Sequence, residues 1–244
     1  MPERIVIIPT YNEIENIERV VKNVFAQDVD FHILVVDDSS PDDTAQKVKS
    51  LQKMYPKRLN LIVRATKNGL GRAYMEGFKW ALNHNYNFIF EMDADYSHNP
   101  NDLTRLYNAC FKQDADMAIG SRYCKGVNVI NWPMNRVLLS WLASWYVRLI
   151  TQIPVSDTTA GFVCYRREVL ERINFDKIKF IGYAFQIEMK YKAYKLGFNL
   201  QEVPIIFTDR TKGQSKMDKR IIWEAVVGVI NLKFKSVFLK HKFN

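Results

Sequence analysis

Cysteine is scarce in this sequence: Cys110, Cys124 and Cys164 are the only three in 244 residues. An odd number without a Cys-x-x-Cys pair argues against a disulfide framework and a cysteine-rich zinc site, and points to a reducing compartment. Histidine is nearly as sparse, and His32, His84, His98 and His241 form no His-x-x-x-His pair. Ten glycines and eight prolines are too few for a collagen-like or low-complexity chain. Long apolar runs are also missing. The greasiest stretch, Trp132 to Val155, is broken by Arg136 and Arg148, with 11 residues between them. A membrane span needs about 20, so the chain is expected not to be integral. No leader is expected, because Arg4 to Pro9 already reads as a strand.

What is present is ordinary for a globular chain: 48% hydrophobic residues and 25% charged ones. The net charge of +9 is unevenly placed. Residues 210–244 hold nine basic and two acidic residues, a net of +7, leaving 26 basic against 24 acidic in the first 209. Such a tail calls for an acidic partner: nucleic acid, a membrane surface or phosphate. Its Lys residues are interleaved with Ile, Val, Leu and Phe, and Trp223 is its only tryptophan, which argues against nucleic acid.

Apolar, β-branched runs at 5–8, 32–36, 59–63, 88–92 and 117–119 alternate with helical spacing at 13–26, 42–55, 71–83 and 100–112. That alternation predicts an α/β fold, a mostly parallel central sheet with helices on both faces. Beyond Tyr123 the pattern predicts a Trp-rich helix from Trp132, a strand at 161–165, a helix at 185–195 and a strand at 200–207. The Trp-rich segment reads mainly as buried core. Trp132, Trp141 and Trp145, flanked by Arg136 and Arg148, also suit a bilayer interface. Residues 1–217 are expected to form one domain, and 218–244 a C-terminal basic amphipathic helix.

In an open α/β sheet, ligands bind beyond the carboxyl ends of the strands. Asp37-Asp38 follows the second predicted strand and Asp93-Ala94-Asp95 the fourth. Helix capping is the competing use for such residues. Asn99 before Pro100 fits an N-cap, and Ser40 with Asp43 fits a capping box, leaving Asp37, Asp38, Asp93 and Asp95 spare. Thr10 with Glu13 fits a second box. Residues two apart on an extended backbone face the same side, so Asp93 and Asp95 form an oxygen-rich pair suited to Mg²⁺ or Mn²⁺. His98 reads either as a further ligand or as an exposed loop histidine. Gly69-Leu70-Gly71 fails as a dinucleotide fingerprint, because Tyr74 replaces the third glycine, and it reads as a tight turn feeding a helix.

With Pro9-Thr10-Tyr11-Asn12-Glu13, Val35-Val36-Asp37-Asp38-Ser39-Ser40, Gly69-Leu70-Gly71, Met92-Asp93-Ala94-Asp95 and Gly120-Ser121-Arg122-Tyr123, the sequence resembles family 2 glycosyltransferases of the GT-A, Rossmann-like fold. Ser156-Asp157 to Gly161-Phe162, Phe185-Gln186-Ile187-Glu188, Glu202-Val203-Pro204 and Asp209-Arg210 with Ser215-Lys216 narrow the resemblance to dolichol- or polyprenyl-phosphate mannosyltransferases. The resemblance covers about residues 4–217.

It implies metal-dependent, inverting transfer of mannose from GDP-mannose to a polyprenyl (dolichyl) monophosphate. UDP-glucose as donor, or a saccharide or protein acceptor, are the alternatives. Carried over residue by residue, it places Pro9, Tyr11, Glu13, Val36 and Asp38 on the nucleoside. Asp93, Ala94, Asp95 and Ser97 fall beside the diphosphate, with the metal on Asp93 and Asp95. Arg122, Arg136, Arg210 and Lys216 surround the donor and acceptor phosphates. Some relatives have Gln where this chain has Ser97, which leaves the third protein ligand open. The basic, apolar tail predicts a peripheral location on the cytoplasmic face of a membrane, where the acceptor lies, and leaves a membrane-anchor subunit open.

Overall fold

A computed structural model describes residues 3–182, 184–209 and 228–233. The first half follows the alternation read from the sequence. Strands β1 (Arg4–Thr10), β2 (His32–Asp37), β3 (Leu59–Val63), β4 (Phe88–Glu91) and β5 (Met117–Ser121) are separated by α1 (Ile17–Phe25), α2 (Thr44–Gln52), α3 (Leu70–Asn83) and α4 (Asp102–Lys112). After β5 come a short strand β6 (Val129–Ile130), the helix α5 (Met134–Thr151), β7 (Val163–Arg166) and α6 (Arg167–Arg172). The helix α7 (Ala184–Lys195) and strands β8 (Leu200–Pro204) and β9 (Phe207–Thr208) complete the described elements.

The main sheet has the order β3-β2-β1-β4-β7-β5-β8, and β6 and β9 form a separate two-stranded sheet. All pairings in the main sheet are parallel except those of β7, which runs against both β4 and β5. The expected strand over 200–207 divides in two because Pro204 has no N–H to extend the ladder. Ile205 N–H turns to Ser121 O, and Phe207 pairs with Val129.

Strand residues alternate between two cores, as a period of two requires. Val6, Ile8, Ile33, Val35, Phe90 and Cys164 face α1, α2 and α4. Ile5, Ile7, Leu34, Val36, Val163 and Tyr165 face α3, α6 and α7. Helix α1 shows why these segments fold as they do: Ile17, Val20, Val21 and Val24 lie at helical spacing on one face, and all four are buried.

Helix α5 departs from this plan. The sequence suggested that most of it is core, yet it buries only Ser144, Val147 and Thr151. Met134, Leu138, Leu139, Trp141, Leu142, Trp145 and Leu149 are exposed. Its inner edge packs Val147 against Ile187 of α7 and against Val229. Among the described residues no helix is long and apolar enough to cross a membrane. Of the C-terminal helix expected over 218–244, only residues 228–233 are described; they are helical. Arg210 and Lys216, assigned to phosphate, and Lys219, Arg220, Lys235, Lys240 and Lys242 of the basic tail lie outside the described residues.

Candidate active site

The parallel strands bring the carboxyl ends of β2, β1, β4 and β5 to one edge, and the antiparallel β7 delivers its own N-terminal end there. The loop at 156–162 therefore joins the Asp-bearing strand ends.

At the β1–β2 end, Thr10 lies in register with Asp37. Asp37 is not spare. It accepts hydrogen bonds from Thr10 Oγ1 (2.8 Å), Ser40 N (2.9 Å) and Ser40 Oγ (2.6 Å), riveting the turn after β2. Neither expected capping box forms, because α1 and α2 begin at Ile17 and Thr44, beyond reach of Thr10 and Ser40. Helix α2 begins at Thr44, behind an Asp43 in the left-handed region with no side-chain cap. Glu13 accepts instead from Asn16 Nδ2 at 2.9 Å. Asn99 does not cap α4, whose N-cap is Asn101; its Oδ1 accepts from Asn101 N at 3.1 Å in the turn before the helix.

Asp38 is buried, with Oδ1 2.9 Å from Arg64 Nη1. Neither atom has a hydrogen-bond partner, so the contact is a charge pair and not a hydrogen bond. Burial raises the Asp38 carboxyl above the usual range, and Arg64 opposes the shift. Pro9, Tyr11 and Glu13 line the same end, half-buried, with Lys67 Nζ 3.9 Å from the Tyr11 ring centre. Val36 is fully buried in the core.

At the β4 end, Asp93 and Asp95 are both half-buried, with Ala94 buried between them. Tyr74 of α3 donates to Asp93 Oδ1 at 3.3 Å, and Ser97 N donates to Asp95 Oδ1 at 3.0 Å. His98 is neither exposed nor ligand-like in its bonding. It is buried, stacks on Phe162 at 4.8 Å between ring centres, and accepts the Asp93 N–H on Nδ1 at 3.2 Å. That bond requires a neutral ring, and burial pushes the His98 pKa down to about 4. His98 thus closes the turn that aims the two carboxylates. The Ser97 hydroxyl is buried with no hydrogen-bond partner, and so is that of Thr158. Orphaned polar atoms at one sheet edge are what a bound ligand would satisfy.

At the β5 end, Arg122 is buried and meets Asp157 through three bonds. Nε and Nη2 each donate at 2.6 Å and the backbone N–H at 3.0 Å, while Nη2 also reaches Thr159 Oγ1 at 2.8 Å. Burial alone would raise the Asp157 carboxyl, but the Arg122 guanidinium overrides it and holds it below the usual range. Tyr123, Trp132 and Phe207 surround the guanidinium, 5.2 to 5.5 Å from its carbon. Arg136, in the first turn of α5, lies over Trp132 at 4.0 Å and pairs with Asp209 at 2.8 Å. The exposed helix therefore starts at the rim of the site.

Sequence reasoning assigned no role to Asp157, Glu202, Phe207 or Tyr74. Glu202 accepts from Ser156 N (2.8 Å) and Asp157 N (2.9 Å), fixing the loop that carries Asp157. Ser156-Asp157 and Glu202 lay within segments that carried the resemblance, but no spacing rule connects them. The two glycines also have a structural reason. Gly69, at φ +95°, leaves room for Ile181 O, 2.9 Å from where a Cβ would sit, and Gly71 lies under the Phe185 ring.

Two carboxylates two residues apart are a hard-oxygen donor set, which suits Mg²⁺ or Mn²⁺ when substrate phosphates supply further oxygens. Among the described residues no group of three or more His, Cys, Asp or Glu side chains forms a self-sufficient metal cage.

The family model described as Glycosyl transferase family 2 matches residues 5–173. The polyprenol monophosphomannose synthase of Mycolicibacterium smegmatis is 46% identical over 225 residues, covering 92% of this chain and 84% of that protein. The undecaprenyl-phosphate mannosyltransferase of Micrococcus luteus is 42% identical over 223 residues, covering 91% and 90%. Among solved structures, glucosyl-3-phosphoglycerate synthase from Mycobacterium tuberculosis with Mn²⁺, UDP and glucosyl-3-phosphoglycerate superposes with a TM-score of 0.68. It is 16% identical and covers 96% of this chain and 79% of that one. The same enzyme with Mg²⁺ and UDP gives 0.66 at 16% identity, over 96% and 79%. These structures share the fold and were crystallised with a divalent ion.

Proposed function

The chain belongs to glycosyl transferase family 2, and from that premise we propose that it moves mannose from GDP-mannose to a polyprenyl monophosphate. The observation that carries this reading is the junction of the Asp93–Asp95 strand end and the Arg122–Asp157 pair with the exposed apolar helix α5. A nucleotide-sugar site alone would suit any acceptor. A site whose rim opens onto seven exposed large apolar side chains suits an acceptor embedded in lipid. The names of the two bacterial relatives support the same acceptor class.

In this reading Pro9, Tyr11, Glu13 and Asp38 flank the nucleoside, with Val36 in the core behind them. Asp93 and Asp95 would hold a divalent ion, which would supply Lewis-acid stabilisation of the departing diphosphate, worth several kcal/mol. The diphosphate would give the buried Ser97 Oγ a partner. Arg122 and Arg136, with Arg210 and Lys216, gather the anionic reactants by charge; the Nε–Nη2 fork of Arg122 itself is held by Asp157. The acceptor phosphate, with a second pKa of about 6, is mostly dianionic at pH 7. No strong general base is then required, consistent with a His98 committed to Asp93 N–H. Direct attack inverts the anomeric centre, giving a β-linked sugar phosphate from an α-linked donor. With a catalytic unit over 1–217, a basic tail over 218–244 would hold the enzyme against an anionic membrane surface, in this reading the cytoplasmic face, with or without an anchoring subunit.

The test is direct. The protein is incubated with radiolabelled GDP-mannose or UDP-glucose, Mg²⁺ or Mn²⁺, and a polyprenyl phosphate. Label passing into the organic phase from GDP-mannose supports the assignment. Label from UDP-glucose alone reassigns the donor, and none from either refutes the acceptor.

A further inference from the structure

Beneath the two halves of the site lies a buried polar chain that the transfer reaction does not itself employ. Glu91, the last residue of β4, is fully buried two positions before Asp93. It accepts from Tyr165 Oη at 2.8 Å and from Gln186 Nε2. Gln186 lies on α7, one turn before Lys190. Lys190 Nζ is fully buried and donates to Ala160 O at 2.6 Å, with Gln186 O at 3.3 Å and Gln186 Oε1 at 3.5 Å. One continuous path therefore runs from the strand that presents Asp93 to the loop that presents Asp157 to Arg122.

Stability does not require this arrangement. Exchanging a buried ionic set for apolar groups of similar size is often neutral or stabilising. What charged and hydrogen-bonded groups add is direction: the Lys190 ammonium is satisfied only while Ala160 O and the Gln186 amide stay in place. Glu202 fixes the start of the same loop through Ser156 N and Asp157 N, so Lys190 fixes its far end.

We propose that Lys190 is a positioning residue for sugar transfer, setting the 156–161 loop, and through it Arg122, relative to Asp93 and Asp95 by way of Gln186 and Glu91. The proposal rests on the transferase reading above. Supporting groups around a metal or phosphate site typically cost 10–100-fold in activity when removed.

The test is the double variant Glu91→Gln/Lys190→Met, which removes both ionisable groups together, compared with wild type for melting temperature and for transfer to polyprenyl phosphate. A retained fold with kcat lowered at least about 10-fold, and KM for the donor within about threefold, supports the inference. A folded double variant with kcat within about threefold of wild type overturns it. Gln186→Met, which cuts the path while leaving the Lys190–Ala160 bond, serves if the double variant does not fold. It is expected to lower kcat similarly, and normal turnover overturns the proposal. Wild-type protein that makes no lipid-linked sugar refutes the transferase reading instead, so the two failures are distinguishable.

Discussion

Arg122 and Asp157 grip each other through three hydrogen bonds, two from the guanidinium at 2.6 Å and one from the Arg122 main chain. Asp157 is fully buried and Arg122 keeps only a small exposed edge, so each side chain depends on the other. Removing one partner of a buried pair costs about 3–5 kcal/mol. Asp157→Asn is therefore expected to lower the melting temperature by about 6–20 °C for a domain of this size. It should also reduce kcat at least about 10²-fold, because the arginine loses its aim. Calorimetry and steady-state kinetics check both. Unchanged transfer would show that Arg122 does not act at the reacting phosphates.

Asp95→Asn keeps the side-chain shape and its Oδ1 acceptor for Ser97 N, but removes a charge. Its kcat is expected to fall at least about 10²-fold, as on loss of one electrostatic stabiliser, with little change in melting temperature. Near-normal turnover with saturating Mg²⁺ or Mn²⁺ would sink the metal assignment.

His98 predicts a pH dependence of stability. Its folded pKa is depressed to about 4 by burial, against about 6.5 in an unfolded chain. The neutral ring's contribution is complete above pH 6.5 and is lost as pH falls towards 4, because the unfolded chain takes up the proton first. Glu91, raised by burial, slopes the other way over part of this window. The comparison is thus between wild type and His98→Asn, where Glu91 is common to both. Wild type should lose more stability between pH 6.5 and 4. Parallel curves would show that His98 titrates normally.

Helix α5 predicts membrane contact. Leu138 and Leu142 are 53% and 49% exposed, one helical turn apart. Anionic vesicles should blue-shift the emission of Trp141 and Trp145. Leu138→Glu/Leu142→Glu should weaken vesicle binding at least about tenfold, since burying even one such side chain is worth about 1.5–3 kcal/mol. Emission that ignores lipid counts against the assignment.

The sheet and its helices were legible because apolar periodicity is written locally. The Asp-bearing strand ends could be placed because α/β topology fixes where ligands sit. What could not be read was partnership across distance. Asp37 looked spare because its donors, Thr10 and Ser40, become its neighbours only when β1 and β2 pair. His98 stayed open between ligand and exposed loop residue because Phe162 and Phe207, which cover it, arrive from late segments. Helix α5 was read as core because its composition is core-like, and composition does not say whether a neighbouring element covers it.

The reversed direction of β7 has a consequence for how the site can change. Phe162 and Cys164 point into one core, and Val163 and Tyr165 into the other. Adding or deleting one residue between 156 and 162, if the slip carried into the strand, would exchange these faces. Tyr165 would be swung away from Glu91, and a polar hydroxyl pressed into the opposite core. The loop's chemistry can thus vary by substitution, while its length is locked by the strand that follows.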